Sequence, residues 1–166
     1  MSVSRICTCA MLLVAGVFAT SAVAQSTSTT FQVRMSVESV CAFTAPGATD
    51  VDFGDQPSTA LGIDAEGALS VTCTLGTPYN VTLNAGQNSG AGGVADRNMT
   101  NGTALLPYQL YRDPGRSEVW GNTVPTDTVT GTGTGAVQTI PVYGRVPSAN
   151  FPAGSYLDVV TATVVY

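Results

Sequence analysis

An all-β sandwich is the fold this sequence predicts, and three observations predict it. Apolar and polar residues alternate along several short segments. Turn residues, with 18 Gly and 9 Pro in the chain, punctuate those segments. No stretch of useful length carries a helical period, so the layers available for burying a core are sheets.

The first 24 residues read as a leader rather than as part of the fold. Met1–Arg5 give a weakly positive start, Ile6–Val23 are apolar and small, and Ala22-Val23-Ala24 is a small-x-small cleavage pattern, with the cut falling between Ala24 and Gln25. The apolar stretch is only marginally long enough to span a bilayer and contains Thr8, Thr20 and Ser21, so removal is favoured over anchoring. No other apolar run is long enough to cross, so no integral membrane segment is expected after cleavage. Cys7 and Cys9 leave with the leader.

Phe31, Val33, Met35 and Val37 alternate with Gln32, Arg34, Ser36 and Glu38, the pattern of a strand with one apolar face. A second strand is expected through Val51 and Phe53, ending at Gly54, with Asp50 and Asp52 on its wet face. Leu69–Cys73 and Tyr79–Leu83 alternate again, and the intervening Gly76-Thr77-Pro78 predicts a hairpin. Residues 84–103, rich in Gly, Asn and Ala, predict an exposed loop. Strand character returns over residues 105–112, breaks at Asp113-Pro114-Gly115 and resumes near Val119-Trp120. Residues 126–135 predict a further loop. Residues 137–146 predict a strand in which Pro141, lacking an amide hydrogen, must face an edge or a bulge. Residues 156–166 predict a last strand, with Tyr156, Val160, Ala162, Val164 and Tyr166 on one face and Asp158 near the rim. Its edge is expected to be open to pairing.

After cleavage five arginines face 11 acidic residues, a net charge of −6, and nucleic acid is excluded as a partner because phosphate binding needs clustered cations. Histidine and lysine are absent, which removes the Ser-His-Asp triad, imidazole zinc ligands, the P-loop lysine and Schiff-base chemistry. The remaining acids, Asp50, Asp52, Asp55, Asp64 and Glu66, lack the ligand ladder of a calcium loop and read as solvated carboxylates. No enzyme activity, metal or cofactor is expected. Tyr79, Tyr108, Tyr111, Trp120 and Tyr143 could line a sugar-binding face, although core packing explains aromatics on strands more often. Cys41 and Cys73 are the cysteines left in an oxidising compartment, and one disulfide is expected rather than two free thiols.

Taken together, the sequence resembles the spore coat protein U domain family, which includes the subunits of archaic, Csu-type chaperone-usher pili. The resemblance rests on Phe31-x-Val33-x-Met35-x-Val37 before Cys41, Asp52-Phe53-Gly54, Leu69-Ser-Val71-Thr-Cys73-Thr, Tyr108-Gln-Leu110-Tyr111-Arg112-Asp113, Ile140-Pro-Val142-Tyr143-Gly144 and the ending from Gly154-Ser-Tyr156-x-Asp158 to Tyr166. It implies an immunoglobulin-like, pilin-type sandwich that lacks its last strand and is completed by donor-strand exchange. The implied organisation is a leader over residues 1–24, a donor segment over 25–40 and the sandwich over 41–166. It further implies Phe31, Val33, Met35 and Val37 as donor-strand plugs, and Cys41 and Cys73 as the family disulfide. Val160, Ala162, Val164 and Tyr166 become a wall of the acceptor groove and a chaperone contact. The implied partners are a periplasmic chaperone, an outer-membrane usher and other copies of this chain or related pilin subunits. Secretion through the periplasm to a surface fimbrium, serving adhesion or biofilm formation, is the expected role. A spore-coat or extracellular-matrix protein and a secreted carbohydrate-binding module are the alternatives.

Overall fold

A computed structural model describes residues 23–166, so the leader expected over residues 1–24 lies outside the described residues but for Val23 and Ala24. The chain divides into two compact units, Met1–Ser36 and Val37–Tyr166. Within the first, residues 23–36 form no strand, and Phe31, Val33 and Met35 are each about 85% exposed. The strand expected at 31–37 therefore belongs to no ladder in the isolated chain, although its alternating pattern is intact.

The second unit holds eight strands: β1 (Cys41–Thr49), β2 (Leu61–Cys73), β3 (Pro78–Leu83), β4 (Arg97–Thr100), β5 (Leu105–Tyr111), β6 (Val129–Thr132), β7 (Val137–Ser148) and β8 (Ala162–Val165). They form a five-stranded sheet in the order β1-β2-β7-β5-β4 and a three-stranded sheet in the order β6-β3-β8, with every ladder antiparallel. Leu69, Val71 and Cys73 from one sheet and Tyr79, Val81 and Leu83 from the other are buried in a common core. Trp120 fills its centre without exposure, and its indole N–H donates to the Val81 carbonyl at 2.8 Å, which satisfies the one polar group the ring carries.

The expected hairpin between residues 69 and 83 does not form. β2 and β3 lie in different sheets, and the turn at Gly76 carries the chain across the sandwich. Periodicity identifies each strand but is silent on its partner. Residues 50–56 are likewise not a strand; Val51 and Phe53 pack sideways onto the five-stranded sheet at two glycines. A Cβ on Gly144 would stand 2.5 Å from Val51 and 2.9 Å from Phe53, and one on Gly67 would stand 2.6 Å from the Thr49 carbonyl. Those glycines make the room that lets an irregular segment lie where a strand would otherwise run.

Strands were also missed. β2 begins eight residues before Leu69; of its inward positions there, Ala65 and Gly67 are small and weaken the alternating signal that Ile63 begins. β4 lies in the expected loop 84–103, alongside a short 3-10 turn at Gly93–Ala95, and β6 lies in the expected loop 126–135. Their sequences, Arg-Asn-Met-Thr and Val-Thr-Gly-Thr, carry almost no apolar pattern. The final strand is shorter than expected, since residues 156–161 form only a bridge from Leu157 to Thr100. Pro141 sits opposite Ala68 of β2 beyond the end of the β5 ladder, as a residue without an amide hydrogen requires.

Cys41 and Cys73 are joined in a disulfide that ties the first residue of β1 to the last of β2 across 32 residues. Closing such a loop removes about 3 to 4 kcal/mol of chain entropy from the unfolded state. The double variant Cys41→Ser, Cys73→Ser is expected to lose that much stability, measured by urea unfolding with and without reductant; an unchanged midpoint would contradict it.

Candidate functional site: an open sheet edge over an apolar cleft

β8 pairs with β3 on one side only, Ala162 opposite Leu83 and Val165 opposite Asn80, and its other edge carries no strand among the described residues. At the margin of the larger sheet β1 is in the same condition. It pairs with β2 at Cys41–Phe43 and again at Ala48–Thr49, with a break between, and has no neighbouring strand on its far side among the described residues. These two unpaired edges approach each other across the sandwich.

Between them the sandwich is open. A cleft of about 1590 Å³ reaches the core side chains Leu69, Leu83, Leu110 and Val142, and its rim carries Phe43, Val51, Phe53, Phe151 and Tyr156. In a domain with a full complement of strands these residues would be sealed. Here Phe43, Val51, Phe53, Ile63, Phe151, Tyr156, Val160 and Ala162 are only partly buried, although all pack on the core cluster. An apolar slot beside unpaired backbone amides and carbonyls is what an added β-strand needs: the ladder supplies hydrogen bonds and the slot takes alternate side chains.

The residues expected to line this slot divide. Val160 and Ala162 line it; Val164, opposite Val81, is partly buried against the core but does not line it, and Tyr166 lies past the end of β8 with 59% of its surface exposed. The opposite wall, Phe43, Val51 and Phe53, was not anticipated as part of the slot. The signal was present in the two large apolar residues flanking Asp52, but only the fold shows that they line the same cleft as Val160 and Ala162. Phe31, Val33, Met35 and Val37 are exposed and belong to no sheet.

A buried polar cluster fixes one end of the slot. Asp158 lines it, accepts from the Tyr108 hydroxyl at 2.6 Å, and also accepts from the Gln87 amide at 2.9 Å and the Asn88 side chain at 3.0 Å. Burial, followed by that bond to Asp158, pushes the Tyr108 hydroxyl far above its ordinary pKa, so it stays a donor at every physiological pH. A Cβ on Gly86 would collide with the Asp158 carboxylate, which explains a glycine there. Behind Tyr108, Arg97 is 1% exposed. It donates to the carbonyls of Leu83, Asn84 and Trp120 at 3.3, 2.7 and 2.8 Å, and to the Gln109 side chain at 2.7 Å. Desolvation holds its pKa below the ordinary value without neutralising it. Residues 84–103 were expected to be an exposed loop, yet they contain this most buried charge of the domain.

The outer face of the large sheet is different in kind. Arg145 grips Asp64 through two bonds of 2.7 and 2.9 Å, and Arg116 stands 3.3 Å from the same carboxylate. Asp64 is thus ion-paired rather than merely solvated. The bond from Arg145 holds its pKa below the usual carboxylate value, so any stability it contributes is present above pH about 4 and is lost as pH falls through the lowered pKa. Asp64→Asn is expected to flatten that acid limb of a melting temperature against pH curve; an identical limb would refute the assignment. Asp50, Asp52 and Asp55 are exposed. Of the aromatics considered for sugar binding, Tyr79, Tyr108 and Trp120 are buried, and the guanidinium of Arg116 sits 5.7 Å over the ring of Tyr143, so they form no open aromatic platform.

A two-sheet antiparallel sandwich with an open apolar cleft between two unpaired strand edges defines the class: an all-β fold of the pilin type. The chain belongs to the spore coat protein U domain family, whose model matches residues 27–163. It is 40% identical over 117 residues to Protein U of Myxococcus xanthus, covering 66% of this chain and 65% of that protein's length. The fold also matches a chain in the crystal structure of the chaperone–tip adhesion subunit pre-assembly complex from archaic chaperone-usher Csu pili of Acinetobacter baumannii. The TM-score is 0.57 at 24% identity, over 78% of this chain and 40% of that one. At that identity the likeness is one of fold.

Proposed function

We propose that this chain is a non-catalytic structural subunit of a secreted surface fibre, assembled by donation of the segment 25–40 of one copy into the cleft of another. The observation that carries this reading is the pairing of a vacancy with a strand that fits it. The vacancy is the apolar slot beside β8, and the strand is the alternating Phe31, Val33, Met35 and Val37 left exposed in the same chain. The family membership and the fold likeness to a chain of a chaperone–subunit complex support it. On this reading a periplasmic chaperone occupies the cleft first, an outer-membrane usher oversees the exchange, and the finished fimbrium at the cell surface serves adhesion or biofilm formation. Val160 and Ala162 form the slot wall that a chaperone strand contacts, with Val164 and Tyr166 at its far margin. Ala24 and Gln25 flank the leader cleavage, which frees the segment.

Four plugs buried at about 1.5 to 3 kcal/mol each supply roughly 6 to 12 kcal/mol. Association and ordering cost about 4 to 15 kcal/mol. The plugs alone come near balance, and the backbone ladder formed on β8 and β1 decides the affinity. The test is co-expression with a cognate chaperone and usher followed by electron microscopy of the cell surface. Fibres that label with antibody to this chain are expected, and their absence while the chaperone complex forms would overturn the reading. The family description favours one other structural role, a spore-coat protein. Antibody label on the spore surface, with no fibre at any growth stage, would select it.

A further inference from the structure

The two ends of the sandwich carry apolar surface of which only Phe151 is shared with the slot's rim, and on the strand-donation reading they meet. At the end where β1 begins, Val40, Leu75 and Val137 are 57, 76 and 59% exposed. They are neighbours: the Thr74 amide donates to the Val40 carbonyl at 2.9 Å, Thr72 is opposite Val137, and Leu75 lies beside Gly135. At the opposite end, where β2 begins and β7 ends, Pro107, Pro147, Ser148 and Phe151 enclose a shallow notch of about 200 Å³. Neither surface includes a charged side chain among these residues.

The register says which end of a neighbour each would meet. β3 runs from the Leu75 end at Pro78 to the notch end at Leu83, and β8 runs back against it, Ala162 opposite Leu83 and Val165 opposite Asn80. A strand added to β8 in the antiparallel sense of every ladder in the domain therefore enters at the Leu75 end of its acceptor and leaves at the notch end. Val37 is the last plug, and Val40 is only three positions further on. At about 3.3 to 3.6 Å per residue the donor's own Leu75 end is held within roughly 10 Å of the acceptor's notch end. We propose that the Leu75 end of one copy docks on the Pro107, Pro147 and Phe151 notch of the next. Leu75, at the tip of the turn between β2 and β3, is the knob. The contact is head-to-tail and does not close on itself, so it propagates along a fibre. Its partner is a second copy of this chain, and it rests on the strand-donation reading.

The test is cross-linking in assembled fibres. Leu75→Cys and Ser148→Cys are introduced together into the full chain, with each single variant as a control, and fibres are treated with a short bis-maleimide. A ladder of covalent multimers from the double variant alone is expected. Fibres of normal length that yield only monomer would overturn the docking contact while leaving strand donation standing. Failure of the wild-type chain to form fibres would overturn both. Leu75→Glu provides an independent measurement. Leu75 is 76% exposed in the monomer, so its melting temperature is expected to stay unchanged, yet the substitution is expected to shorten the bending persistence length of fibres several-fold; an unchanged length would count against the contact.

Discussion

Replacing Val33 and Met35 together by Asp is expected to abolish fibre assembly while leaving the sandwich as stable as the parent. Both side chains are 86% exposed in the isolated chain, so the charges cost the monomer nothing. In an acceptor cleft the same positions would lie against Leu69, Leu110 and Val142. Two plugs worth about 1.5 to 3 kcal/mol each are lost, and desolvating each carboxylate adds several kcal/mol more. Even a 5 kcal/mol deficit lowers the exchange constant by between 10³ and 10⁴, since each 1.4 kcal/mol is tenfold. The measurement is surface fibre yield by electron microscopy, set beside the thermal midpoint of the purified mature protein. Fibres at the parental level would show that residues 31–37 are not the donated strand. A lowered midpoint would show that they already pack on their own domain.

Arg97→Ala is expected to be the most damaging single substitution in the sandwich. The guanidinium satisfies carbonyls at the end of β3, in the following residue and at Trp120, and it orients Gln109 of β5, whose amide in turn donates to the Val94 carbonyl. Truncation removes the donors and leaves buried acceptors unpaired beside a cavity, a combination that costs about 3 to 5 kcal/mol. For a domain of this size that lowers the melting temperature by roughly 10 to 20 °C. Arg97→Lys is expected to recover only part of the loss, because one ammonium cannot reproduce the planar fork that reaches several carbonyls at once. Differential scanning calorimetry of the mature protein measures both. A fall of less than about 1 kcal/mol for the alanine variant would mean that the carbonyls find water instead.

The difference between these two sites shows where reading along the chain succeeds. Phe31, Val33, Met35 and Val37 are recognisable because a strand's side-chain period of two survives even in a segment that pairs with nothing in its own chain. Arg97 is invisible for the opposite reason. A lone cation among Gly, Asn and Ala carries the signature of an exposed loop, and its burial depends on carbonyls contributed by residues 83, 84 and 120. Val51 and Phe53 illustrate an intermediate case. Their alternation with Asp50 and Asp52 is real, but Gly67 and Gly144, distant in sequence, clear the space that turns an expected strand into a packed irregular segment.

Composition and local pattern by themselves determined that the chain is all-β, that it carries one disulfide between Cys41 and Cys73, and that most enzyme chemistries lack their residues, because these properties depend on residue type and on neighbours within a few positions. Which strands pair, that β2 and β3 part into separate sheets, and that β8 borders an open slot facing Phe43, Val51 and Phe53 were decided only by the tertiary structure. Strand pairing is a choice among many partners of similar intrinsic preference, and it is settled by which arrangement buries Trp120, Val71 and Val81 together.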